Sequence, residues 1–226
     1  GLQVIYAGMK PFLLLIAVMG VISIIYGALC AMVQKDLKKL VAYSSVSHMG
    51  YVMLGIASLT VIGINGAILQ MFNHGVITGM LFLLVGLIHE RYHTREIEKL
   101  GGLMVTMGII ASVWVYTSFA SFGLPSLAGF VGEFLVLTGS FPVYRVLTMI
   151  AALGVILTAG YFLWTIQRIC LGRPKIEGEV IDATPRELSY MVPLMLIMLV
   201  IGVYPAPILN IVKPTVIQIV SSLGGV

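Results

Sequence analysis

The chain of 226 residues is 59% hydrophobic and only 10% charged, with a mean hydropathy of +1.07. Soluble domains are about 45–50% apolar and 25% charged, so this composition excludes an ordinary cytosolic enzyme, a secreted disulfide scaffold and a nucleic-acid-binding domain. The net charge of +4 does not indicate a nucleic-acid partner, because basic residues of membrane proteins concentrate in cytoplasmic loops. The composition predicts a protein embedded in lipid.

The first twelve residues, GLQVIYAGMKPF, have no initiator methionine, basic n-region or cleavage site, so we do not expect them to form a signal peptide. We expect a further segment to precede them. Cys30 and Cys170 lie in separate apolar runs, and we expect two small buried hydrophobic side chains rather than a disulfide or a metal pair.

Apolar runs predict the membrane crossings in chain order. A helix needs about 20 residues to cross the hydrocarbon core of roughly 30 Å. Five runs meet this length, at residues 11–33, 40–58, 64–88, 143–168 and 189–209. A further stretch, 104–141, is interrupted by Gly123-Leu124-Pro125-Ser126 and forms either two short crossings or one crossing by a broken helix.

The distribution of basic residues favours one broken crossing at 104–141. In that arrangement three loops on one side carry ten basic residues and the other side carries three, whereas two crossings would give seven against six. We therefore predict an all-α polytopic bundle of about six crossings, forming one membrane domain over 1–226, with both termini on the outer, non-cytoplasmic side. The ten are Lys35, Lys38, Lys39, Arg91, Arg95, Lys99, Arg168, Arg173, Lys175 and Arg186, and the three are Lys10, Arg145 and Lys213.

The helix break and the one long polar connection each predict local structure. A break inside a membrane frees backbone groups that protein or water must satisfy, so it indicates a wet interior, although a proline kink of packing origin is the alternative. In the connection at 176–188, Thr184 is expected to be the N-cap of the last crossing, with Pro185 at its first position.

Three ionisable residues, His48, His74 and Glu133, fall near the middle of the predicted crossings. With a rise of 1.5 Å per residue, His48 lies about 12 Å from the cytoplasmic edge of its run and His74 about 15 Å from the outer edge. Ionisable groups at such depth indicate function, and histidine with a carboxylate suits a proton relay. Structural hydrogen bonds between helices are the alternative. The polar neighbours are Tyr43, Ser44, Ser45, Ser47, Gln70 and Asn73.

Two further motifs have competing interpretations. Lys38 and Lys39 begin the second crossing, where they supply protons or anchor the helix end at the cytoplasmic surface. His89-Glu90-Arg91-Tyr92-His93 is a literal H-E-x-x-H, which on a helix binds zinc in metalloproteases with the glutamate as general base. Asp182 and Glu179 are the conceivable third ligands. A membrane metalloprotease is therefore one alternative function.

Three runs carry a specific resemblance: DLKKLVAYSSVSHMGYVMLGI at 36–56, GAILQMFNHGVITGMLFLLVGLIHERYHTREIEKLGGL at 66–103, and FGLPSLAGFVGEFLVLTGSF at 122–141. They resemble subunit M of bacterial respiratory complex I, an antiporter-like proton-pumping family whose mitochondrial counterpart is chain 4 of NADH:ubiquinone oxidoreductase. The resemblance implies two inverted five-helix repeats, each with a broken helix. This chain is similar to the second repeat and the final helix only.

The resemblance also implies roles for single residues. Glu133 matches the terminal carboxylate of the proton path in the broken helix, and His48 and His74 match the central hydrophilic axis. Lys38 matches a basic position at the start of its helix. A glutamate in the broken helix favours subunit M over the paralogous subunits L and N, which usually have lysine there. Ser126-Leu127-Ala128 departs from the family's glycine-rich sequence, a difference expected to matter little.

The implied function is proton translocation as part of NADH:quinone oxidoreductase in a bacterial inner membrane or an equivalent energy-transducing membrane. FMN, iron–sulfur clusters and quinone are expected in partner subunits, with no cofactor or metal on this chain. Expected partners are lipid, subunits L and N, and the absent first repeat, supplied by the same or another chain. The alternatives are a subunit of a multisubunit sodium/proton antiporter or of a membrane-bound hydrogenase.

Overall fold

A computed structural model describes residues 10–175 and 180–223, and in these ranges all regular secondary structure is helical apart from one isolated β-bridge. The predicted all-α fold class is confirmed. The helices are α1 (Leu13–Met32), α2 (Leu37–Ala57), α3 (Val61–Tyr92), α4 (Gly108–Ser121), α5 (Ala128–Ser140), α6 (Arg145–Ile169), α7 (Pro185–Val203) and α8 (Ala206–Ser222), with short helical turns at Lys10–Phe12 and Leu103–Thr106.

The crossings follow the predicted pattern of a multi-pass membrane protein. Within the described ranges, five helices, α1, α2, α3, α6 and α7, are long and apolar enough to cross a membrane. The helices α4 and α5 have 14 and 13 residues, so each is only about 20 Å long and neither reaches across the core alone. They flank the predicted interruption and together form the broken sixth crossing.

Contacts at the two ends of α3 show that α4 and α5 cross the membrane once. At the start of α3, the Thr60 hydroxyl donates to the Gly139 carbonyl near the end of α5, at 2.9 Å. At the other end of α3, Arg91 and the first turn of α4 bind the same loop, the one that precedes α7. The pair α4–α5 therefore runs antiparallel to α3 along its whole length.

The three basic loops meet at one end of the bundle, which we call the basic face: the loops before α2, after α3 and after α6. The Leu37 amide donates to the Arg95 carbonyl at 2.9 Å, and the Met104 amide donates to the Cys170 carbonyl at 3.0 Å. The predicted grouping of these loops on one side is therefore confirmed. Cys170 is buried there with a free thiol, and burial raises the pKa of that thiol to about 12, whereas Cys30 is half-buried.

The break between α4 and α5 depends on two residues with positive φ, Gly123 at +78° and Ser126 at +77°. The left-handed conformation is accessible to glycine but strained for serine. Ser126 therefore carries backbone strain, at a position where the family that the sequence resembles is rich in glycine. Gly202 of α7 packs so closely on the break that a Cβ there would overlap the backbone of Ser126 and Leu127.

The end of the predicted last crossing, 189–209, is corrected by the structure. Its helix α7 begins at Pro185, directly after Thr184, so the predicted N-cap is confirmed. Glu187 completes a capping box with Thr184. It ends at Val203 because Tyr204 leaves the helical conformation, at φ −136° and ψ 77°, and Pro205 follows. Hydropathy does not show this end, since residues 204–209 remain largely apolar. The additional helix α8 packs against α3.

Candidate functional site

The imidazole of His48 lies between the two halves of the broken helix. It is projected from the middle of α2 and is only 3% exposed. Its Nδ1 is 2.9 Å from Oε1 of Glu133 in α5, and its Nε2 is 3.1 Å from Oγ of Ser121 in α4. With the carboxylate ionised, Nδ1–H donates to Glu133 and a neutral ring accepts the Ser121 hydroxyl at Nε2. His48 thus bonds each half through a different ring nitrogen.

The carboxylate of Glu133 is held from several directions. It lies in the second turn of α5 and is 4% exposed. The Gln70 amide of α3 donates to Oε1 at 3.4 Å. The second oxygen, Oε2, faces the break, where a Cβ at Gly123 would lie 3.2 Å from it. A Cβ at Gly132 would overlap the Gln70 side chain, so this glycine lets α5 approach α3 closely.

The third predicted residue, His74, joins the same cluster from α3. Its ring centroid is 5.9 Å from that of His48, and its Nδ1 is 3.1 Å from the Thr78 hydroxyl one turn along the helix. Both histidines line a cavity of about 10 Å³, which is close to the size that one water molecule needs. Its lining consists of His48, Gln70, His74, Ile77, Ser121 and Gly129.

The contact between His48 and Glu133 allows a proton to move in either direction. A buried carboxylate and a protonated histidine are stabilised by each other, and breaking such a pair would leave an unpaired charge in a low dielectric. Transfer of one proton from His48 to Glu133 converts the charged pair into a neutral one without moving either side chain. The cluster can therefore hold a proton on either partner.

The other predicted polar neighbours mostly bond helix backbones. Ser44 and Ser47 each donate to a backbone carbonyl at 2.8 Å, and the Asn73 amide donates to the Ala128 carbonyl at 2.6 Å, at the start of α5. Of this set, the structure places Gln70 on Glu133, while Tyr43 and Ser45 are half-buried. Ser47 therefore connects α2 to α1 and Asn73 connects α3 to α5, whereas the Ser44 bond stays within α2.

Lys38 is not brought into the cluster. It lies in the first turn of α2 on the basic face, its side chain is exposed, and ten residues of helix, about 15 Å, separate it from His48. Sequence reasoning also missed Ser121 and Thr78, the two hydroxyls that contact the histidines. For Ser121 the one signal was its position two residues before the predicted break, which does not identify its partner.

The H-E-x-x-H motif does not form one helical face. Helix α3 ends at Tyr92, and His93 is its left-handed C-cap with φ 53°. Asp182, a conceivable ligand, instead accepts the backbone amides of Ile109 and Ile110 at 2.8 and 3.2 Å. Glu179 lies outside the described residues, and among those that the structure describes no three His, Cys, Asp or Glu side chains are grouped to hold a metal.

Arg91, inside that motif, belongs to an ion pair on the basic face. Its Nη2 lies 2.8 Å from both carboxylate oxygens of Glu187, and its Nε donates to the Ile181 carbonyl at 2.6 Å. We call Arg91, Asp182 and Glu187 the clamp. Through it, the loop before α7 connects the end of α3 to the start of α4.

Comparison with known proteins identifies the chain's relatives. The family model described as "NADH:quinone oxidoreductase/Mrp antiporter, TM" matches residues 3–158. NADH-quinone oxidoreductase subunit M of Rhodobacter capsulatus is 42% identical over 95% of this chain and 42% of its own length. The F(420)H(2) dehydrogenase subunit M of Methanosarcina mazei is 41% identical over 94% of this chain and 43% of its own length. The chain thus spans about two fifths of these curated relatives.

Solved structures agree with this relationship. A chain of respiratory complex I from Thermus thermophilus with bound NADH is 34% identical and superposes with a TM-score of 0.92, covering 96% of this chain and 46% of that one. A chain of the Mrp complex from Dietzia sp. DQ12-45-1b has a TM-score of 0.84 at 20% identity, covering 97% of this chain and 50% of that one. At this identity the second match supports the fold alone.

Proposed function

The chain belongs to the NADH:quinone oxidoreductase/Mrp antiporter transmembrane family, and from this premise we propose that it translocates protons as part of a membrane-bound NADH:quinone oxidoreductase. His48, His74 and Glu133 form the relay. Electron transfer takes place in partner subunits that carry FMN, iron–sulfur clusters and quinone. This chain contributes the proton path and has no redox chemistry of its own.

The observation that carries the proposal is the buried contact of 2.9 Å between His48 and Glu133 beside a helix break. Histidine exchanges protons near neutral pH, and a carboxylate within hydrogen-bonding distance is a chemically suitable acceptor. A proton reaching His48 from the side of His74 and the cavity can pass to Glu133. Lys38 is the proposed entry residue on the basic face, since it lies in the first turn of the helix that carries His48.

The wider assembly is part of the same proposal. The ten basic residues of the three loops favour a cytoplasmic basic face, so the start of α1 and the end of α7 lie on the outer side of an energy-transducing membrane. The chain forms one domain, equivalent to a second antiporter-like repeat and a final helix. The greater length of its relatives supports a first repeat on the same or another chain. Subunits of the L and N type are the membrane partners.

A dehydrogenase with another electron donor is the second candidate. The F(420)H(2) dehydrogenase subunit from M. mazei is 41% identical, almost the same as the 42% of the R. capsulatus subunit. Sequence identity therefore does not distinguish NADH from F(420)H(2) as the electron donor. Measuring the oxidation of each donor by the purified native assembly will distinguish them. A sodium/proton antiporter subunit is supported by the family description, which also names Mrp antiporters, and by the shared fold.

The direct test is Glu133→Gln in the assembled complex, with the number of protons translocated per electron as the readout. We expect translocation through this chain to be abolished, because the amide keeps the shape of the side chain but cannot take up the proton. Glu98→Gln is the matched control, since Glu98 is two-thirds exposed on the basic face. Wild-type stoichiometry in Glu133→Gln would overturn the proposed function.

A further inference from the structure

The hydroxyl of Ser121 behaves differently from its neighbours on α4. Ser118 and Thr117 each donate to the carbonyl one turn earlier, at 2.8 and 2.7 Å. Such backbone bonding is the usual arrangement of serine and threonine inside a helix. Ser121 is the last residue of α4 and is 3% exposed, and its hydroxyl contacts Nε2 of His48 at 3.1 Å. This hydroxyl therefore contacts an ionisable side chain on another helix.

The contact fixes which way the imidazole faces. Nδ1 meets Glu133 of α5, and Nε2 meets Ser121 of α4, so one bond from each half-helix defines the ring plane. A hydroxyl both donates and accepts, which lets it remain bonded to Nε2 whether the ring is neutral or protonated. Without that hydroxyl, Nε2 would be a buried polar atom that lacks this partner. Turning the ring towards another partner would then lower the free energy.

We propose that Ser121 is a positioning residue for proton transfer, which holds Nδ1 of His48 towards Glu133 in both protonation states of the ring. It acts through His48 and does not itself need to titrate. Proton transfer depends steeply on donor–acceptor geometry, so a misaligned ring slows the step even when both partners remain in place. This inference rests on the proton relay proposed above.

The test compares Ser121→Ala with Ser118→Ala in the assembled complex. Both changes remove one buried hydroxyl from the same helix, but only the first removes a contact to His48. We expect Ser121→Ala to lose most of the translocation that Glu133→Gln loses, and Ser118→Ala to retain the wild-type number of protons per electron. Ser121→Thr restores the hydroxyl and is expected to rescue translocation.

Two results would overturn this inference alone. In one, Ser121→Ala translocates like Ser118→Ala while Glu133→Gln is defective. In the other, Ser121→Thr assembles but fails like the alanine variant, so that the hydroxyl is not the determinant. Full translocation by Glu133→Gln instead overturns the relay itself. If Ser121→Ala does not assemble, Ser121→Cys replaces it, because a thiol fills the site but is a weak donor and acceptor.

Discussion

Two ion pairs in this molecule, one partly buried and one fully buried, differ in what they can do. Arg91 and Glu187 on the basic face are 2.8 Å apart, and their side chains are 10% and 13% exposed. His48 and Glu133 in the middle of the bundle are 2.9 Å apart, with side chains 4% and 5% exposed. Arginine stays charged at any physiological pH, whereas histidine does not. The first pair is permanent and the second can be neutralised.

The surroundings of each pair match this difference. Arg91 also donates to the backbone carbonyls of Ile181 and Asp182, so its charge has several fixed acceptors. His48 instead meets a hydroxyl, which serves a neutral or a charged ring equally. A permanently charged ion pair holds the ends of helices in place, whereas a pair that contains a histidine can take up and release a proton. The comparison therefore assigns stability to the clamp and supports the proton transfer that we propose for the cluster.

The largest expected effect on stability comes from Arg91→Met. It leaves Glu187 without its cation and frees the ends of α3 and α7, which should lower stability by about 3–5 kcal/mol. Glu133→Gln should change stability much less, because the amide still accepts at one atom. The measurement is the thermal unfolding midpoint of this polypeptide in its native assembly. Equal shifts for both variants would contradict the division of roles.

Lys99→Met is the control for Arg91→Met. Lys99 pairs with Glu96 at 2.9 Å, but the two side chains are 63% and 57% exposed. Such surface pairs contribute at most about 1 kcal/mol. A shift as large as that of Arg91→Met would show that loss of any positive charge on the basic face lowers stability.

A smaller effect is expected from Asp182→Ala. The Asp182 carboxylate accepts the amides of Ile109 and Ile110 in the first turn of α4, so its removal should cost about 1 kcal/mol. Asp182→Asn retains one acceptor oxygen and should lose less. Unfolding midpoints of the two variants in the native assembly provide the check, and an alanine variant as stable as the wild type would exclude capping.

The smallest effect is a gain in stability from Ser126→Gly. Glycine accepts a φ of +77° without strain, although it also increases the entropy of the unfolded chain, so the net gain should be below about 1 kcal/mol. Ser126→Val is the counterpart and should be destabilising, because a β-branched side chain tolerates this conformation poorly. A midpoint for Ser126→Gly below that of wild type would contradict the strain argument.

The crossings and the break were predictable because membrane thickness sets helix length and because glycine and proline interrupt helices. His48, His74 and Glu133 were equally visible, since ionisable groups are rare in apolar runs. Their grouping is a structural finding, as is the contact of His48 with both half-helices. Their role as a relay stays a prediction.

The clamp and the Ser121 contact were not predictable. Arg91 meets Glu187 across 96 residues, and Ser121 meets His48 across 73. No local pattern marks such partners, because a serine before a break is as consistent with an ordinary backbone hydrogen bond. The end of α7 was missed for a related reason, since hydropathy does not distinguish a helix from an apolar turn followed by another helix.

The central claim is that Glu133 changes protonation during turnover, and infrared difference spectroscopy of the assembled complex tests it directly. We predict a carbonyl stretching band of a protonated carboxyl group that appears or disappears between resting and turning-over states, and that is missing in Glu133→Gln. Identical difference bands in the wild type and in Glu133→Gln would contradict the account, because Glu133 would then hold one protonation state throughout.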